Sequence, residues 1–292
     1  IFQYMKKMNM PRNFYPGKGS ALNTDSMMRI QMKQSCFIYG KREKMNYKMI
    51  IQFDGGRYRG FQKQTGTKEN ESTIQGKLES VIRTFTGHEV QLIGCGRTDA
   101  GVHSENYTAN FHTEIRLDEA ELLHHFDMYL PEDIFVKDVS IVSDRFHSRY
   151  NAHSKTYQYR ISTDRNRNVF TRKYSYHINE MPDMEKMRTM AQEFIGEKDF
   201  SGFTNLKSKK KSTVRKVYRI DIHQDKNGEI MIDIEGNGFL QNMARIIAGT
   251  ILEAGTGKRD TESVRKIFSG GAREDAGAML PSQGLKLLNV KY

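Results

Sequence analysis

The sequence predicts an α+β protein built in two halves, and three observations predict it. Between Met45 and Val142, short apolar or alternating runs exchange with helix-periodic runs in the order strand, helix, strand, strand, helix, strand. Beyond residue 150 a second series of strands and helices follows the same logic, by element order and without visible repetition of sequence. The apolar content is 37%, with 16 Phe and 14 Tyr, which is enough for a packed core. That order is the ferredoxin-like one, and it implies mainly antiparallel strands with helices on one face. The expected organisation is an extension over 1–44 without order, a first half over 45–149 and a second over 150–292.

The elements follow in turn. Tyr47–Phe53 reads as a strand, and Asp54-Gly-Gly through Gln62 as a loop. Ser72 or Thr73 caps a helix whose apolar face is Ile74, Leu78, Val81, Ile82 and Phe85. Val90–Ile93 and Tyr107–Phe111 are strands on either side of a glycine-rich loop, Asp118–Leu130 is a helix, and Ile134–Val142 is a strand. In the second half, Lys155–Ser162, Val214–His223, Glu229–Glu235 and Gly284–Val290 read as strands. Asp183–Ile195, Gly238–Ala254 and Thr261–Phe268 read as helices.

Charge and cysteine content narrow the function classes. The chain carries a formal +11, but residues 1–44 hold nine basic and two acidic side chains. The leader is therefore +7 and the remainder only +4, so a polyanionic partner is allowed rather than required. Ile1 is not an initiator, and Met45 opens the first convincing strand, so Met45 is a candidate native start. Two cysteines make neither a disulfide framework nor a zinc cluster, and a reducing cytoplasm is the expected location. Met243–Leu252 is interrupted by Arg245 and falls far short of the ~20 apolar residues that a membrane span needs.

Chemistry concentrates in Gly94-Cys-Gly-Arg-Thr-Asp-Ala-Gly-Val-His103, where three glycines surround Arg97, Asp99 and His103. A phosphate loop would need a Lys-Ser/Thr pair after a glycine, and a zinc deaminase a Pro-Cys-x-x-Cys; both are absent. Arg245 lies in a run with Phe239, Leu240, Met243, Ile246, Ile247, Ile251 and Leu252, which leaves little room for a solvated face. An arginine so placed needs an anion. Glu253, Glu235 and Asp233 are the local choices and Asp99 the distant one, and spacing does not decide between them. In Lys155–Ile161, alternation sets Tyr157, Tyr159 and Ile161 on one face, a core face or a base-stacking one. The run Lys207–Lys216 is a solvated basic loop or a phosphate contact surface.

Gly96-Arg-Thr-Asp-Ala-Gly-Val-His103 resembles the signature of the TruA-type tRNA pseudouridine synthases, and further landmarks occur in that family's order. They are Asp54-Gly-Gly with Gly60–Gln64, Ser72–Glu79, Leu130–Ile134, Phe146–Tyr157, Asp199–Phe203, Gly238–Arg245 and Gly284–Tyr292. Phe61, Ser104 and Ala244 depart from the family's common Trp, Ala and Val without removing a charge. The resemblance implies isomerisation of uridine to pseudouridine in the tRNA anticodon stem-loop, typically at positions 38–40, by a homodimer. It implies no cofactor and no catalytic metal. Asp99 would be the catalytic aspartate and Arg245 its ion-pair partner, holding it ionised. Arg97 would contact RNA and help to hold the target base out of its stack, and Tyr157 would stack on the flipped uracil. The two halves would share one sheet, with Asp99 in the cleft between them. The rival is a non-catalytic RNA-binding protein on the same frame; a hydrolase would want a second carboxylate, and none stands out.

If the basic leader contacts RNA, deleting residues 1–44 weakens tRNA affinity and flattens the slope of log K against log salt. An unchanged slope assigns the leader no part in binding.

Overall fold

The computed structural model describes residues 44–64, 72–163, 168–205 and 212–292. The leader, except Lys44, and Lys207, Lys209, Lys210 and Lys211 of the basic run lie outside the described residues. Ten strands form one sheet: β1 (Met45–Phe53), β2 (Ile93–Gly94), β3 (His103–Thr113), β4 (Ile134–Val142), β5 (Ser154–Ser162), β6 (Tyr176–His177), β7 (Gly196–Asp199), β8 (Val214–Gln224), β9 (Ile230–Gly236) and β10 (Leu285–Lys291). The order across it is β4-β1-β3-β10-β5-β9-β8-β7, with β2 paired to β3 and β6 to β5. The helices are α1 (Ile74–Thr86), α2 (Glu119–Tyr129), α3 (Met184–Gln192), α4 (Met243–Gly255) and α5 (Thr261–Phe268).

Alternation in the sequence becomes one continuous apolar face. Tyr47, Met49 and Ile51 of β1 lie opposite Phe111, Ala109 and Tyr107 of β3. Across the sheet, Tyr157, Tyr159 and Ile161 of β5 lie opposite Ile234, Ile232 and Ile230 of β9. All of these side chains are buried. Side chains two apart on a strand share a face, so the core runs unbroken through both halves. Helix α2 packs on β4, α3 on β8 and α4 on β5.

The join between the halves is β10. It runs parallel to β3, with Lys286 opposite His103, and antiparallel to β5, with Leu285 opposite Tyr159. Side chains reinforce the short parallel pairing: Ser104 Oγ donates to the Leu287 carbonyl at 3.2 Å and Asn106 Nδ2 to that of Leu288 at 2.9 Å. On the opposite face a polar cluster clamps the turn after β4. Asn110 Oδ1 accepts from Ser148 N and Oγ, Asn46 Nδ2 donates to the Ser143 and Phe146 carbonyls, and the Tyr292 hydroxyl donates to the Ser148 carbonyl. With Asn110 and Ser148 fully buried, each bond satisfies a group that would otherwise be costly to desolvate.

Most elements form where patterning places them. Thr73 caps α1 through its hydroxyl, and Asp118, Asp183 and Asp260 cap α2, α3 and α5. The Val90–Ile93 strand is reduced to Ile93–Gly94, and the short β6 and β7 have no sequence signal because two to four residues define no period. The Gly238–Ala254 helix begins instead at Met243, because Asn242 takes a left-handed conformation at φ 63° and breaks the run. Arg245 therefore sits in the first turn of α4. No helix among the described residues is long and apolar enough to cross a membrane.

α4 is buried nearly all round, Arg245 and Glu253 being the charged exceptions. Residues 276–281 lie along it: Thr250 Oγ1 accepts from Gly277 N at 3.1 Å, and Glu253 Oε1 from Ala278 N at 2.8 Å. Gly249 makes this approach possible, since a Cβ there would stand 1.9 Å from the Ala278 carbonyl oxygen. Gly249→Ala is expected to cost about 1–3 kcal/mol of stability, the ordinary range for overpacking a filled interior. A thermal melt would register that as a fall of several degrees.

Candidate active site

The loop between β2 and β3 is held from every side. Cys95 N–H donates to the Thr108 carbonyl at 2.9 Å, the Tyr107 hydroxyl donates to the Gly96 carbonyl, and Lys155 Nζ reaches the Cys95 carbonyl at 2.6 Å. Thr98 Oγ1 accepts from Phe61 N at 3.0 Å, and the Tyr58 carbonyl accepts from Gly101 N at 3.2 Å. The 55–61 loop comes so close that a Cβ at Gly60, where φ is +87°, would meet the Thr98 carbonyl oxygen at 2.2 Å. Beneath them Phe61 stacks on Tyr107 with ring centroids 4.0 Å apart. Asp99 thus projects from a backbone with little freedom to move.

Its partner comes from across the β10 join. Arg245 Nη1 lies 3.5 Å from Asp99 Oδ2, with Arg245 only 11% and Asp99 29% exposed. The same guanidinium donates through Nε to the Leu280 carbonyl at 2.6 Å and through Nη1 to Asn242 Oδ1 at 3.4 Å. The local carboxylates are engaged elsewhere. Glu253 pairs with Arg259, Glu235 with Lys291, and Asp233 accepts from Gln158. Segment 276–281 therefore does more than cover α4, because its Leu280 carbonyl fixes the angle at which Arg245 faces Asp99.

Electrostatics at Asp99 differ from the simple expectation. Burial raises its pKa, Arg245 opposes the rise by charge and by hydrogen bond, and the net shift is upward from the ordinary carboxylate value. The carboxyl group is thus less readily ionised than a free aspartate, and it would be less so without Arg245.

Tyr157 is buried, its ring edge-on to Phe239 with centroids 5.0 Å apart. Burial first, then the charges of Cys95 and Asp99, push its hydroxyl far above the usual phenol range, so it is neutral at any physiological pH. Its neighbour Tyr159 is fully buried and donates to the Pro281 carbonyl at 2.8 Å, which leaves Tyr157 as the strand's aromatic ring within reach of Asp99's charge. Arg97 is not gathered into this cluster. It is exposed, with Nε bonded to Gln62 Oε1 at 2.6 Å. His103 turns the other way: its Nδ1 lies 2.9 Å from Asp54 Oδ1, and Tyr174 donates to Asp54 Oδ2 at 3.0 Å. Burial lowers the His103 pKa against the pull of Asp54, so this group locks the 54–55 loop to β3.

Two participants escape a reading of the sequence alone. Leu280 acts through a backbone carbonyl, for which no side-chain signal exists. Lys155 did carry a signal, since it shares the parity of Tyr157, Tyr159 and Ile161 and so places an ammonium on a core face.

With this geometry in view, comparison with known proteins is specific. The sequence profile of the family described as tRNA pseudouridine synthase matches residues 49–151 and 190–292, one stretch on each side of β5. The chain is 47% identical over 247 residues to tRNA pseudouridine synthase A 1 of Clostridium tetani, covering 85% of this chain and 99% of that one. Over the same length and shares it is 43% identical to tRNA pseudouridine synthase A 2 of Bacillus cereus and 41% to tRNA pseudouridine synthase A of Caldicellulosiruptor bescii. A constrained aspartate met by an arginine from the far side of the sheet, and a profile spanning both stretches, leave one conclusion: the chain belongs to the tRNA pseudouridine synthase family.

Proposed function

We propose that Asp99 carries out this family's reaction, the isomerisation of uridine to pseudouridine in tRNA, on uridines of the anticodon stem-loop. The observation that carries the reading is the Asp99–Arg245 contact of 3.5 Å, formed between a loop before β3 and a helix after β9. Breaking the N1–C1′ bond, turning the base and rejoining it through C5 neither consumes nor releases electrons. It asks for an anionic group at the reacting nucleotide and a pocket that keeps the base from leaving. Arg245 lowers the pKa of a carboxyl that burial raises, and so favours the anion in a site partly shielded from water.

Tyr157, neutral and buried against Phe239, offers its ring to the uracil and its hydroxyl as a proton relay to C5. Arg97, exposed above the same loop, meets the RNA and helps to keep the base out of its stack, which typically costs a few kcal/mol. The enzyme acts as a cytoplasmic homodimer with tRNA lying across both subunits. The two lobes, 45–149 and 150–292, each bring one member of the charged pair.

Tritium release from tRNA labelled at uridine C5 tests this reading. Asp99→Asn is expected to abolish release while tRNA affinity stays within a few-fold. Survival of activity would sink the assignment, and binding without release by the unaltered protein would favour the non-catalytic RNA-binding reading.

A second expectation concerns pH. Since the folded-state pKa of Asp99 is raised, its anion is lost on acidification earlier than that of a free aspartate. The acid limb of kcat/KM should therefore lie at higher pH than that of an unperturbed aspartate. Arg245→Met removes the group that lowers this pKa, so the limb should move to still higher pH. A limb that stays in place would show that Asp99 is not the titrating group.

A further inference from the structure

The positive charge around the glycine-rich loop exceeds what Asp99 balances. Lys155 stands on β5 two residues before Tyr157, and its Nζ donates to the Cys95 carbonyl at 2.6 Å. An ammonium has three hydrogens, and that carbonyl takes one. Among the described residues Lys155 forms no ion pair. Burial pushes its pKa down; Cys95 opposes, while the charges of Arg149 and Arg215 push the same way.

Strand register explains how these groups meet. Lys155 lies opposite Gly236 on β9, and Gly236 lies opposite Val217 on β8, two residues from Arg215 and on the same face. Gly236 itself contributes no side chain between Lys155 and Arg215. Gly96 borders the ammonium from the other side, where a Cβ would be 3.3 Å from Lys155 Nζ. Arg215 is half-buried, and among the described residues its guanidinium donates only to the backbone carbonyls of Ser212 and Val214, at 3.0 and 2.6 Å. Arg149 is exposed on the turn clamped by Ser148, and its side chain makes no hydrogen bond or ion pair among the described residues.

Lys155 and Arg215, both partly desolvated, with the charge of Arg149 acting on the same ammonium and none of the three paired with a carboxylate among the described residues, are an arrangement that an anion stabilises. We propose that Lys155, Arg215 and Arg149 form a subsite for one RNA backbone phosphate next to the nucleotide held at Asp99. The inference rests on the tRNA reading above and adds to it a residue-level contact. A phosphate anchored beside Gly96 fixes the backbone from which the uridine turns out, and its charge-assisted bonds help to offset the cost of unstacking.

The test uses the full chain and tRNA carrying a single uncharged methylphosphonate at each phosphate near the target uridine in turn. At one position the unaltered protein should lose about tenfold in affinity, the loss expected for a bond between charged groups. Arg215→Gln should bind ordinary tRNA more weakly, lose little more at that same position, and show a salt slope smaller by about one. Arg149→Gln, on an exposed side chain with no hydrogen-bond or ion-pair partner among the described residues, should give the same non-additivity. Equal losses for variants and unaltered protein at every position, or an unchanged slope in both variants, would overturn the subsite. Turnover is read separately, by tritium release from ordinary tRNA. Binding without release would strike the isomerase reading and leave the phosphate contact to be judged by affinity alone.

Discussion

The structure turns on one ion pair between parts of the chain that are remote in sequence. Asp99 belongs to a loop pinned by β3 and the 55–61 loop, and Arg245 to the first turn of a buried helix on the far side of β10. Neither residue suits its place alone. Burial disfavours the carboxylate, and an arginine at 11% exposure without an anion would be a liability. Together they stabilise each other, and the guanidinium is also anchored through Nε to the Leu280 carbonyl. A 3.5 Å contact rather than a tight bidentate one leaves the carboxylate with capacity to act on something else.

Much of this was legible in the sequence. Apolar alternation identified the sheet's core face, the Ser72–Thr73 cap marked the start of α1, and the apolar surroundings of Arg245 demanded an anion before any partner was known. What periodicity could not supply was the choice among Glu253, Glu235, Asp233 and Asp99, because it depends on the path of β10 between β3 and β5. The resemblance to a family pointed to Asp99, and the local carboxylates are seen to have partners of their own. The start of α4 was misread by five residues because Phe239, Leu240 and Met243 keep a helix-compatible apolar spacing, while the break lies in the backbone of Asn242. Lys155 was in view but was grouped with neither face of its strand.

Rigidity is unevenly distributed, and the distribution suits the chemistry. Groups that set geometry (Thr98, Tyr107, Lys155, the Leu280 carbonyl) are tied to backbone or buried. Groups with long reach, Arg97 and Arg149, sit at the surface with few or no ties.

The position of β10 carries a consequence for how the molecule comes into being. Among the described residues this strand is the last in sequence yet lies in the middle of the sheet, and its bond to Ser104 spans 183 residues of sequence. During synthesis β3 and β5 must both wait with open hydrogen-bonding edges until residues 285–291 have left the ribosome. Only then can the two sides of the sheet be drawn together and Arg245 brought to face Asp99. A nascent chain lacking residues 285–291 would carry Asp99 and Arg245 without the strand that joins the two sides of the sheet.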